Sequence, residues 1–209
     1  MEPIFFIVII IIFLFSIIIH EVSHGQVANY LGDPTAKMAG RLSLNPLKHL
    51  DFIGSLLLPL MLILSGSGII FGWAKPVPIN PFNFRDKKYG SAKVALAGPV
   101  ANIFLAVVFG MLLRFLRLEN LSFGANLAVI FAYIVWINLL LAIFNLIPIP
   151  PLDGSHILFT FLPLRFNNLK IFLTKFGFLI LIFFIFFFFQ LLLPVINIFF
   201  KLIVGVSFI

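Results

Sequence analysis

Residues 4–24 read IFFIVIIIIFLFSIIIHEVSH, and this stretch sets the terms for the rest of the chain. Ile4 to Ile19 holds no charged residue. At about 1.5 Å per residue, a helix over it reaches about 24 Å into an apolar slab about 30 Å thick. His20, Glu21 and His24 then appear together at that depth. Each charge near a bilayer centre costs about 2.5–3.5 kcal/mol on insertion scales, so a cluster of ionisable groups there implies a use. The pattern is H-E-x-x-H. Two histidines four apart share one helix face. That is the spacing at which two imidazoles hold one zinc ion. Glu21 is badly placed as a third ligand on the same helix, but can take a proton from water at the metal. The same short pattern arises by chance in soluble helices. The apolar run before it separates the two readings.

Composition agrees with the run. Of 209 residues, 62% are hydrophobic and 10% charged, with a mean hydropathy of +1.21. These values describe an all-α polytopic membrane protein rather than a soluble domain. The formal charge of +7 sits in loops between apolar spans, as the positive-inside rule expects, and is no nucleic-acid signature. There is no cysteine, so any metal must use His, Asp or Glu. The first apolar run lacks a basic n-region and carries the histidine pair, which makes it a mature span rather than a signal peptide. Residues 1–209 read as a single domain without internal repeats, with a core at about 4–158 and further helices at about 171–208.

The spans follow in order. The first covers Ile4 to Leu31, with Gly32 as C-cap and Asp33-Pro34 preventing continuation. Alternation around Met38 to Leu44 suggests one or two short strands. Ile53 to Phe71 is apolar but broken by Gly54, Pro59, Gly66 and Gly68, and reads as a crossing or a re-entrant dip. Trp73 to Pro81 has prolines at alternating positions, which forbids a helix and suits an edge strand or extended loop. Further spans are Val94 to Leu113, Leu127 to Ile147, Ile171 to Leu193 and Val195 to Phe208, with a short apolar segment at His156 to Leu164. The expected architecture is five to six transmembrane helices, with a re-entrant or short β-containing segment after the first.

A catalytic zinc takes three protein ligands and keeps a position for water. Asp153 stands out for the third place, at a proline-broken helix end next to Gly154. It could equally cap a helix starting at Ser155, since Asp-Gly is ordinary turn chemistry. His156 reads as a plain interfacial histidine. Asn102 and Asn145 read as hydrogen-bond partners between helices.

His20-Glu21-Val22-Ser23-His24, then Ala97-Gly98-Pro99 with Asn102, then Asn145-Leu146-Ile147-Pro148 and Leu152-Asp153-Gly154, together resemble the site-2 protease family of intramembrane zinc metalloproteases. The likeness covers about Ile4 to Leu158. The pairing of H-E-x-x-H with L-D-G in separate apolar spans is specific; A-G-P alone would be weak. The resemblance implies Zn2+ held by His20, His24 and Asp153, Glu21 as general base, and Asn145 steadying substrate or oxyanion. It implies cleavage of a transmembrane protein or peptide within the lipid bilayer. Two features depart from the family pattern. The span that precedes H-E-x-x-H in some relatives has no counterpart here, and the Thr35 to Pro81 stretch is long. No PDZ or other regulatory domain fits between the spans.

Topology tests the assignment. His24 and Asp153 must face the same side to share a metal. A re-entrant Ile53 to Phe71 achieves this, and gathers Lys37, Arg41, Lys48, Lys75, Arg85, Lys87, Lys88, Lys93, Arg165, Lys170 and Lys175 on one side against Arg114 and Arg117. The expected placement is multi-pass in a bacterial or archaeal plasma membrane, with the active-site mouth toward the cytoplasm. Trp73 to Pro81 is an expected receiving edge for an unwound substrate strand. The rival is a membrane zinc-binding protein without hydrolysis, or a zinc transporter. A transporter wants ligand sets along a path, and the chain has four histidines.

Overall fold

The computed structural model describes residues 3–51, 57, 61, 75–116, 123–206 and 208. Its helices are α1 (Pro3–Tyr30), α2 (Thr35–Met38), α3 (Gly90–Phe115), α4 (Gly124–Asn145), α5 (Asp153–Phe161), α6 (Asn167–Phe188) and α7 (Leu192–Val204). Four stretches are long and apolar enough to cross a membrane: Phe5–Tyr30, Gly90–Phe115, Gly124–Asn145 and Leu164–Val204. Among the described residues these four stand where five to six transmembrane helices are expected for the whole chain. The spans expected at 171–193 and 195–208 belong to one apolar stretch of 41 residues, joined through a 3-10 turn at Phe189–Leu191. The expected dip or crossing at Ile53 to Phe71 lies outside the described residues, apart from Leu57 and Met61.

The strands expected around Met38 to Leu44 are absent; no strand occurs among the described residues. Local bonds win there. The N–H groups of Ala39, Gly40 and Arg41 donate back to the carbonyls of Thr35, Lys37 and Ala36. Gly40, at φ +65°, then turns the chain. Alternating side chains without a partner strand cannot outweigh these bonds. The end of α1 follows the expectation. Gly32 adopts φ +106°, and Asp33 N–H donates to Ala28 O at 2.9 Å, which closes the helix end.

α1 and α3 run antiparallel: Ser16 meets Asn102, while His24, further along α1, meets Val94, earlier on α3. α1 and α4 run side by side in the same direction, with Phe5 against Tyr133 and Ser16 against Asn138. A buried apolar cluster of Ala106, Val135, Leu139, Leu192, Ile196, Phe200 and Val204 ties α7 to α3 and α4. Phe178, Phe183, Phe186 and Phe187 of α6 are exposed, as helices facing hydrocarbon must be. At the far end of the first span, Lys75 N–H donates to His49 O at 2.9 Å. Residues 49 and 75 therefore lie side by side.

Candidate metal centre

The site forms where α1, α3 and the start of α5 meet. His20 and His24 stack edge to face on α1 with ring centroids 4.6 Å apart, and both are buried. Asp153 is the first residue of α5. Leu152 precedes it in extended conformation, and no side chain caps this helix. The Asp153 carboxylate turns inward instead, with Oδ2 3.1 Å from His20 Nε2 and 3.3 Å from His24 Nε2. The position at a helix N-terminus favours the anion. Gly154 makes the turn possible, because a Cβ there would run into the Leu146 and Ile147 carbonyls at the end of α4. Counted from Tyr30 at about 1.5 Å per residue, His24 lies about 9 Å and His20 about 15 Å inside the end of α1.

Several observations show that the three side chains fit a zinc ion. They are a group of ligand atoms all within 4.8 Å of one another. In tetrahedral zinc, with bonds of about 2.0–2.1 Å, neighbouring ligand atoms are about 3.4 Å apart, close to the separations found here. The proton positions agree as well. His24 Nδ1 lies 2.7 Å from Val94 O, a carbonyl that only accepts, so Nδ1 carries the proton and Nε2 a lone pair. Asp153 Oδ2 is buried and receives no hydrogen bond. Lone pairs facing one another at this distance repel unless a cation or an added proton sits among them. Gly98 supplies the floor of the cradle. A Cβ there would fall 2.5 Å from His24 Nε2 and 2.6 Å from His20 Nε2, so only glycine leaves this space open. Pro99 follows it inside α3 and leaves the Ala95 carbonyl without its helical donor.

Glu21 is half-buried beside the histidines, and its Oε2 accepts the Val77 N–H at 2.9 Å. Val77 belongs to the extended segment 75–80. This segment offers less free edge than its sequence suggests. Lys75 N–H is committed to His49 O and Asn80 N–H to Asp33 Oδ2. Pro76 and Pro78 have no N–H, and Arg41 Nη2 donates to the carbonyls of Lys75 and Pro76. Among the described residues only Ile79 keeps an unclaimed N–H in this segment. The expectation of an open receiving edge is narrowed accordingly: these bonds fasten the segment to the body and to Glu21.

Asn145 stands at the end of α4, where its Nδ2 donates to Leu141 O of its own helix at 2.9 Å. His156 is exposed on α5. Asn102 bonds other helices, as its sequence reading has it, but one of its partners is His20 Nδ1, at 2.6 Å. Ser16 and Asn138 complete a buried chain with it. Nothing local in the sequence marks this chain, because its members lie on three different helices. The one available signal is polar residues inside apolar spans.

A model of Peptidase family M50 matches residues 118–188. The chain is 35% identical over 188 residues to "Putative zinc metalloprotease YwhC" of Bacillus subtilis, covering 87% of this chain and 82% of that protein. It is 35% identical over 151 residues to "Putative zinc metalloprotease Rip2" of Mycolicibacterium smegmatis, covering 71% of this chain and 55% of that one. A third relative, "Putative zinc metalloprotease MJ0611" of Methanocaldococcus jannaschii, is 43% identical over 68 residues, 32% of this chain and 33% of its own. No solved structure matches. Similarity that runs along most of this chain and most of the Bacillus protein settles the kinship: the chain belongs to peptidase family M50, the site-2 protease family of zinc metalloproteases.

Proposed function

We propose that the protein hydrolyses peptide bonds of membrane-embedded substrates, with His20, His24 and Asp153 holding zinc and Glu21 acting as general base. One observation carries this reading. A carboxylate oxygen and two imidazole nitrogens converge within an apolar span, and a second carboxylate stands beside them on the same helix. Zinc, when bound, supplies Lewis-acid chemistry that polarises a carbonyl and acidifies water. The protein's own groups do the rest. Glu21 takes up the proton at its carboxylate, and the Val77 N–H holds that carboxylate in place. A substrate helix must unwind before its peptide bond becomes accessible. Asn145 would serve substrate or oxyanion with its second Nδ2 proton, since only one is bonded to Leu141 O of its own helix.

Four membrane crossings with the site toward the cytoplasm fit the charges. The end of the bundle near the metal centre carries Lys37, Lys48, Lys75, Arg85, Lys87, Lys88 and Lys93, with Lys170 over the Phe159 ring of α5. At the opposite end Arg114 donates to the Leu202 and Ile203 carbonyls, next to Lys201. The bias follows the positive-inside rule. A zinc carrier would need successive sites, and no second group of three metal-ligating side chains gathers among the described residues.

Glu21→Gln tests the proposal. Purified Glu21→Gln should hold zinc as the wild type does and cleave a model transmembrane substrate at least about 10²–10⁴-fold more slowly. Near-normal cleavage by this variant would remove Glu21 as base, and absence of cleavage by the zinc-loaded wild type would remove the hydrolytic reading.

A further inference from the structure

Ser16, Asn102 and Asn138 make a polar chain inside the bundle. Asn102 and Asn138 are 0% exposed and Ser16 4%. They come from α1, α3 and α4, all candidate spans. Polar groups at this depth are costly unless bonded, and here each is bonded in a fixed direction.

The direction can be read from the backbone carbonyls, which only accept. The Asn138 amide atom 2.8 Å from Ile134 O must be Nδ2. The same nitrogen donates to Ser16 Oγ at 2.9 Å, which uses both of its protons. Asn138 Oδ1 therefore faces Asn102, and the atom of Asn102 that meets it at 2.8 Å must be a donor, Nδ2. That nitrogen's other proton points to the Ser16 carbonyl at 3.3 Å, again an acceptor. Asn102 has only Oδ1 left, and Oδ1 faces His20 Nδ1 at 2.6 Å. An oxygen that only accepts requires a proton on Nδ1. A neutral imidazole then carries its lone pair on Nε2, the atom 3.1 Å from Asp153 Oδ2.

We propose that Asn102 is a positioning residue of the zinc centre, with Asn138 and Ser16 acting through it. The chain, anchored on the Ile134 and Ser16 carbonyls, locks His20 in the Nδ1–H tautomer and aims its Nε2 at the metal. An asparagine does this without placing a further charge in an apolar site. The inference rests on the reading of His20 as a ligand. His24 has the same arrangement in simpler form, with the Val94 carbonyl in place of the asparagine.

Zinc affinity, measured by chelator competition on purified full-length protein, tests the proposal without reference to cleavage. Asn102→Leu should weaken zinc about 10–100-fold and change the visible spectrum of the cobalt-loaded protein. Asn102→Asp, which keeps an acceptor toward His20, should recover most of that affinity. Asn138→Leu should weaken zinc less, and the double variant Asn102→Leu/Asn138→Leu should be no weaker than Asn102→Leu alone. Should Asn102→Leu not fold, the nitrogen NMR of labelled histidine in the wild type reads the tautomer directly. A hydrogen-bonded Nδ1–H on His20 supports the proposal; its absence overturns it. Wild-type zinc affinity in Asn102→Leu, alongside lost affinity in His20→Ala, overturns the positioning role alone. Full zinc binding by His20→Ala overturns the ligand reading beneath it.

Discussion

Gly98 is the tightest residue of the site. It faces both Nε2 atoms, and a methyl group on it would stand where the ligand atoms converge. Gly98→Ala should therefore act on zinc before it acts on the fold. The expected outcome is clearly reduced zinc content, measured by metal analysis, with a metal-free melting temperature near that of the metal-free wild type. Full zinc content in this variant would show that the cradle yields. At this scale the sequence was readable where chemistry is carried by spacing. The histidine pair needs only five residues of helix to be recognised. Asp153 reads in the sequence as ligand or cap alike; in the structure α5 starts on it, and no side chain caps that helix. Asn102 and Asn138 were opaque for a different reason. Their partners are set by the rotation of three helices about one another, which no local pattern encodes.

Among the elements, the join between α1 and the 75–84 segment depends on Asp33. Its carboxylate accepts from Asn80 N–H at 2.7 Å and Asn83 Nδ2 at 2.8 Å, and from the hydroxyl and N–H of Thr35. Burial alone would push the carboxyl up, but these four donors outweigh it and hold it below the usual carboxylate range. A depressed folded value means stability that is present above the unfolded value and lost as pH falls through the folded one. The melting temperature of wild type should exceed that of Asp33→Asn by a constant margin from pH 8 to 5, and the margin should shrink below about pH 4. A margin that stays level to pH 3 would remove the carboxylate as the source. Element existence was largely legible, since hydropathy marks spans by length. The strands near Met38 to Leu44 failed because alternation says nothing about whether a partner strand exists. The join at Asp33 left no trace in periodicity at all.

For the whole molecule, the arrangement of α1, α3 and α5 places the metal centre near one end of the bundle, and that end should face the cytoplasm. The chain has no cysteine, so introduced ones report alone. Leu44→Cys and Phe82→Cys, both exposed near the site end, should react with an impermeant reagent only from the cytoplasmic side. Val206→Cys, exposed at the other end, should react only from outside. Labelling of Leu44→Cys and Phe82→Cys from opposite sides would break the proposed topology. Charge distribution is the sequence signal behind this expectation.

The hydrogen bond between Lys75 N–H and His49 O also bears on how such a protein can change over time. Residues on either side of that bond are neighbours in space, although 26 positions separate them in number. Two residues beyond Lys75, the Val77 N–H holds the Glu21 carboxylate at 2.9 Å. The join at His49 is thus tied to Glu21 through three residues of extended backbone. Selection on the residues around His49 is therefore also selection on where the Glu21 carboxylate sits.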